Sequence, residues 1–133
     1  MKRCLLDSSF LIDLLNETAV HETGPATVWL RRNADAQVWI TPGAWAEVLE
    51  GAVDKEAVRA RLARFRWQGI GHAQADRVAL RQSRANRHLG ENDAWQVAIA
   101  ECMDAVLVGH DGAFAVLGSG YEDHRKAPVA GPG

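Results

Sequence analysis

A chain of 133 residues with 47% hydrophobic content is long enough to bury a core without disulfides or structural metal, and short enough for one domain. Its formal net charge of −2 excludes a uniformly basic nucleic-acid coat, and no apolar run approaches a membrane span. The average conceals an uneven distribution: between Lys55 and Arg87 nine basic residues face only Glu56 and Asp76, while the other residues carry six bases and fifteen acids, as a cation site beside a phosphate-binding surface requires.

The N-terminus, MKRCLLD, places Asp7 too early for a signal-peptide core, so neither export nor membrane insertion is expected. Arg3 to Leu6 reads as a buried strand, and Ser8 or Ser9 as the cap of a helix carrying Phe10, Leu11, Leu14 and Leu15. A Gly24-Pro25 turn precedes a helix with Val28, Trp29 and Leu30, and QVWIT (Gln37 to Thr41) forms a second strand ending at Pro42. Helix resumes through Trp45, Val48 and Leu49 to Gly51, and Asp54 caps another with Val58, Leu62 and Phe65 in register. A short strand is expected from Trp67 to Gly71, then a helix from about Ala73 to His88 and a break at Gly90. NDAWQVAIAECM, from Asn92, is apolar on nearly all sides and reads as a buried helix. AVLV (Ala105 to Val108) is a further strand, Asp111 starts a short helix through Phe114, and a last strand lies near Tyr121. This alternation implies an α/β fold with a mainly parallel sheet covered on both faces. One domain is expected over residues 1–126, with a disordered tail over 127–133. Cys4 and Cys102, in apolar surroundings and without a C-x-x-C pairing, read as buried thiols of a reducing, cytoplasmic compartment.

Three acids stand at element junctions, Asp7 after the first strand, Asp93 opening the buried helix and Asp111 after the strand AVLV, and a fourth, Glu47, lies in the third helix. Each has a bland reading as a helix cap, a dipole partner or a solvated helical residue. Together, at the carboxyl edge of a parallel sheet, they would repel one another unless a cation neutralised them. An oxygen-only donor set without a Cys or His cluster selects magnesium, with manganese as the alternative, over zinc. Such an ion activates water against a phosphodiester.

The residues resemble the PIN domain, especially the toxins of bacterial VapBC toxin–antitoxin pairs. Those have a first strand ending in Asp-Thr/Ser-Ser/Asn, a helical Glu four residues before a Gly, an Asn-Asp opening an Ala-rich helix, and a strand followed by Asp-x-x-Phe. Here the fragments are LLDSSFLIDLL from Leu5, AEVLEG from Ala46, GENDAWQVAIAECM from Gly90 and VLVGHDGAF from Val106, in order over about residues 3–125. The resemblance implies a three-layer α/β/α fold and a magnesium-dependent endoribonuclease. Asp7 and Asp93 would be the principal metal ligands, and Glu47 and Asp111 would complete the catalytic acids; the spacing to Gly51 selects Glu47 over Glu50. It further implies an RNA substrate, a cognate antitoxin seated in an apolar groove, and a homodimer. Where members of this family often carry Thr-Arg or Thr-Asn, this chain has Gly109-His110, so a hydroxyl is missing before the last acid, and His110 is expected to face solvent, with contact to the scissile phosphate as the alternative.

Arg77, Arg81, Arg84 and His88 recur on one helical face, a solvated surface or a contact for phosphate or an acidic partner. Of five tryptophans, Trp39 and Trp95 are expected in the core, and Trp29 and Trp45 are candidates for a groove. Two other functions compete: a catalytically weak PIN module that binds RNA or protein, and a phosphotransferase with Asp7 as nucleophile. The latter needs a second Asp where Ser9 stands.

Overall fold

The computed structural model describes residues 2–84 and 89–126. The tail from Ala127, and His88 at the end of the arginine stripe, lie outside the described residues.

Cys4, Leu5 and Leu6 are wholly buried because strand β1 (Arg3–Leu6) runs through the centre of the sheet. Successive side chains point to opposite faces, so Cys4 and Leu6 join one core and Leu5 the other. Five strands pair in the order β3-β2-β1-β4-β5, every pair parallel. The others are β2 (Gln37–Ile40), β3 (Arg66–Trp67), β4 (Val106–Gly109) and β5 (Tyr121–Asp123).

One face is covered by α1 (Ser8–Ala19), α2 (Pro25–Arg32), α3 (Pro42–Glu50) and α4 (Lys55–Leu62), whose core includes Phe10, Leu11, Trp29, Val48 and Leu62. The other is covered by α6 (Glu91–Cys102) and a 3-10 segment (Gly112–Gly120) that packs Phe114 inward, kinked where Gly118 takes φ 56°. Helix α5 (His72–Arg84) has no buried residue and lies on α6. The result is the three-layer α/β/α arrangement expected. No helix among the described residues is long and apolar enough to cross a membrane.

Several local expectations change. Asp7, not Ser8 or Ser9, caps α1, its side chain accepting the Ser9 amide; a carboxylate suits the positive end of a helix. Helix α4 stops at Leu62, leaving Phe65 to pack against the core from beyond it. Strand β3 is only two residues long and begins at Arg66, because pairing with Trp39 and Ile40, not local apolar character, sets its extent. Cys4 is buried, and that burial pushes its thiol up to about 11; Cys102 is exposed at the end of α6. Trp29 belongs to the core, Trp39 and Trp95 are half-buried, and Trp67 is exposed.

Candidate active site

Parallel pairing places all strand C-termini on one edge, and the acids follow from it. Leu6 pairs with Val108, so Asp7 emerges beside Gly109, its amide donating to the Val108 carbonyl at 2.9 Å. Thr41, just after β2, caps α3 through its hydroxyl, and Asp111 caps the 3-10 segment two residues after β4. Asp93 stands in the first turn of α6, whose N-cap, Gly90, offers no side-chain hydrogen bond.

Asp7 is 4% exposed and held on both oxygens. Its Oδ2 accepts the Ser9 hydroxyl at 2.7 Å and the Ser9 amide at 3.2 Å, and its Oδ1 accepts Gln96 Nε2 at 3.4 Å. Gln96 is itself buried and accepts the Thr41 hydroxyl at 2.7 Å. Gln96, which the sequence did not single out, and Ser9, read from sequence only as a candidate cap, therefore aim the most buried acid. The signal for Gln96 was present: an amide amid the apolar run of α6 is costly unless its polar atoms are satisfied.

Glu47 is exposed on α3, where Asn92 Nδ2 donates to it at 3.1 Å. Asn92 fits closely against α3, since a side chain on Gly43 would come within 2.7 Å of its Oδ1. Asn92 thus couples Glu47 to the start of α6, one residue from Asp93.

Asp93 feels the other three acids. The Asp93 carboxyl is raised above its ordinary value, first by burial and then by the charges of Asp111, Asp7 and Glu47. No Lys or Arg forms an ion pair with any of the four among the described residues. Glu50, the rival to Glu47, is exposed on the same helix and does not contribute to this shift. Among the described residues no three His, Cys, Asp or Glu side chains close into a cage for an ion. The acids form an open array of hard oxygen donors.

The Gly109-His110 departure acquires a physical meaning. A Cβ at residue 109 would lie 2.6 Å from Ser9 Oγ and 2.9 Å from Asp7 Cβ, distances that nonbonded heavy atoms do not tolerate. The Ser9 hydroxyl fills the space that a side chain on residue 109 would need, donating to Asp7 and accepting the His110 amide at 3.0 Å. His110 does not simply face solvent: its ring is 5.6 Å from that of His124, and its Nε2 is 3.8 Å from Asp13.

Asp13 is the centre of a second cluster that the sequence did not reveal. It accepts two hydrogen bonds from the Arg125 guanidinium and one from His124 Nε2, all at 2.8 Å. Its carboxyl is held down at about 2, first by the Arg125 hydrogen bond and, against burial, by His124 and the charges of Arg125 and His110. The His124 side chain is fully buried, and its Nδ1 has no partner.

The arginine stripe also has a different setting from the one spacing suggests. Arg77 and Arg81 both hydrogen-bond Glu101 of α6, which lowers that carboxyl, with Arg81 the larger cause. Arg84 is exposed without a carboxylate partner among the described residues.

Comparison with known proteins follows the same lines. The family model of the PIN domain matches residues 4–119. The chain is similar to a toxin–antitoxin complex from Klebsiella pneumoniae, at 26% identity and TM-score 0.74, covering 91% of this chain and 97% of that one. It shares its fold with VapBC2 from Rickettsia felis, solved bound to a promoter DNA fragment, at 15% identity, TM-score 0.73 and coverage of 91% and 98%. It also shares its fold with VapC20 of Mycobacterium tuberculosis, described as a sarcin-ricin loop cleaving toxin, at 16% identity, TM-score 0.66 and coverage of 87% and 95%. No curated protein matches the chain.

Proposed function

The chain belongs to the PIN-domain family, and from that premise we propose that it is a metal-dependent endoribonuclease, the toxin of a toxin–antitoxin pair. The observation that carries this reading is the carboxyl edge itself. Asp93 is crowded by Asp111, Asp7 and Glu47, and among the described residues no basic side chain pairs with any of the four. A fold tolerates such repulsion where a cation relieves it.

Asp7 and Asp93 would hold the ion, with Glu47 and Asp111 completing the site. The open array fits magnesium or manganese, which keep several waters and bind through one or two carboxylates plus substrate phosphate. When bound, such an ion supplies a water of lowered pKa and neutralises charge developing on the phosphodiester. The protein's own part is orientation. Ser9 and Gln96 fix the Asp7 carboxylate, Asn92 fixes Glu47, and the Asp111 carboxylate, just beyond β4, accepts a hydrogen bond from the Ala113 backbone amide at 2.9 Å.

The partner reading has support of its own. A mainly apolar groove of about 280 Å³ between α1, α2 and α4 is lined by Leu11, Leu14, Leu15, Leu30, Leu62 and Phe65, with Thr18, Arg61 and Arg64 also in its lining. It suits the apolar face of an antitoxin segment; Trp29, a groove candidate from sequence, lines a separate cavity with Pro25, Val28 and Glu122. Cytoplasmic action as a homodimer, and phosphate contact through Arg84 with Arg77 and Arg81, belong to the same proposal.

The test is incubation of pure protein with structured RNAs in magnesium or chelator, comparing wild type with Asp7→Asn and Asp93→Asn. Magnesium-dependent cleavage lost in both variants is expected. Cleavage indifferent to metal and to both substitutions would contradict the proposal.

A further inference from the structure

A carboxylate offers about four lone pairs, two on each oxygen, and among the described residues three of those on Asp7 are taken by protein donors. Oδ2 accepts both the Ser9 hydroxyl and the Ser9 amide, at 2.7 and 3.2 Å. The direction of the hydroxyl is fixed, because the His110 amide donates to the same Oγ at 3.0 Å and leaves its proton for Asp7. Oδ1 accepts Gln96 Nε2 at 3.4 Å. That donor is oriented too: the Thr41 hydroxyl accepts the Ala44 amide at 3.2 Å and gives its proton to Gln96 Oε1 at 2.7 Å, which turns the Gln96 amide nitrogen toward Asp7. Oδ2 is therefore saturated, and Oδ1 keeps one lone pair.

The free lone pair faces Asp93. Gln96 follows Asp93 on α6 by about one helical turn, so both project from one face, and the Asp7 oxygen that meets Gln96 is the one turned toward Asp93. The two carboxylates are close enough for the Asp7 charge to help raise the Asp93 carboxyl. Oδ2 points the other way, toward Ser9 of α1 and Gly109 of β4. The room there depends on Gly109: a Cβ at that position would lie 2.6 Å from Ser9 Oγ and 3.2 Å from Asp7 Oδ2. The Ser9 hydroxyl and a side chain at residue 109 cannot share the space.

We propose that Ser9, seated against Gly109, sets which divalent cation the carboxyl edge accepts, because it occupies Asp7 Oδ2 and leaves Asp7 a one-oxygen donor. The proposal rests on the cation-dependent reading of the site and adds the residue that selects the ion. Magnesium is satisfied by one oxygen of a carboxylate and keeps several of its waters, whereas calcium takes a larger set of oxygen ligands and gains from a carboxylate that offers both. Ser9 therefore denies calcium a ligand and magnesium none. It acts as a positioning residue, through Asp7, without touching the ion.

The test uses the full chain stripped of metal, with magnesium chloride and calcium chloride titrated separately and the rise in melting temperature followed to saturation. The readout is the ratio of the two half-saturating concentrations, and melting in chelator checks that each variant is folded. Wild type is expected to favour magnesium. Ser9→Ala should move the ratio toward calcium by about tenfold, the scale on which an outer-shell partner affects metal affinity. Gly109→Ala, which drives the hydroxyl from Oδ2, should move it the same way, and Ser9→Thr, which keeps the hydroxyl, should hold the wild-type ratio. An unchanged ratio in Ser9→Ala, a wild-type preference for calcium, or an equal loss of both ions in Ser9→Ala would overturn the proposal; the last would mark Ser9 as a support of the fold alone. Saturable stabilisation by magnesium that is lost in Asp7→Asn, with a ratio indifferent to Ser9, would leave the cation reading standing without the proposal. A wild type that neither ion stabilises would remove both.

Discussion

Acidic residues occur in two contrasting settings in this molecule. At Asp13 and Glu101 each carboxylate is met by two partners, Arg125 with His124 and Arg81 with Arg77, and each carboxyl is held below its ordinary value. At the carboxyl edge the Asp93 carboxyl is raised, first by burial and then by the charges of Asp111, Asp7 and Glu47, the charged neighbours it meets among the described residues. The first setting is complete within the chain. Among the described residues the second has no basic partner, and in the proposed reading a cation takes that place, which separates acids that hold the fold from acids available for chemistry.

The largest expected effect breaks the second setting. Asp93→Asn should lower RNA cleavage by about a hundredfold or more, while the melting temperature holds or rises because a like charge has been removed. The same substitution logic at the first setting should give the opposite pattern. Asp13→Ala leaves Arg125 and the buried His124 without their acceptor and should cost about 2–3 kcal/mol in denaturant unfolding.

The acid limb of stability sharpens this further. A folded carboxyl held at about 2 against an ordinary 3.8 contributes stability fully present above 3.8 and lost as pH falls toward 2. Wild type should lose that increment over this window, and Asp13→Ala should show a flatter profile there.

A smaller effect probes the hydroxyl that joins the two settings. Gly109→Ala places a methyl against Ser9 Oγ and Asp7 Cβ and should cost about 1–2 kcal/mol, measured as a shift in denaturant midpoint. Ser9→Ala in the same chain should relieve part of it. Smallest of all, Glu101→Gln should change stability by less than about 1 kcal/mol, since Arg77 is 45% and Arg81 30% exposed. Freed arginines should then raise RNA affinity slightly; unchanged affinity would take α5 out of the binding surface.

Much of this contrast was legible in the residues. Asp7, Asp93 and Asp111 stand where apolar runs change period, so a parallel sheet necessarily carries Asp7 and Asp111 to one edge. Glu47 was reached through its spacing to Gly51 and the family resemblance; its link to Asn92 is 45 positions long. What could not be read are the partners. Asp13 and Arg125 are 112 positions apart, and nothing in either local sequence marks them as a pair. The arginine stripe was correctly placed on one face, yet its neutralisation depends on Glu101 from a different helix. The fit of Ser9 into the space beside Gly109 likewise requires β1 and β4 to be neighbours, which is a property of the sheet and not of either segment. Strand β3 failed for the same reason, since two paired residues leave almost no periodicity to detect.

The most direct test is thermal unfolding of metal-stripped protein across a magnesium titration, run in parallel on wild type, Asp93→Asn and Glu101→Gln. Magnesium should raise the melting temperature of wild type and Glu101→Gln in a saturable way and leave Asp93→Asn nearly unmoved. An equal rise in all three, or none in wild type, would contradict the assignment of the carboxyl edge as a cation-dependent site.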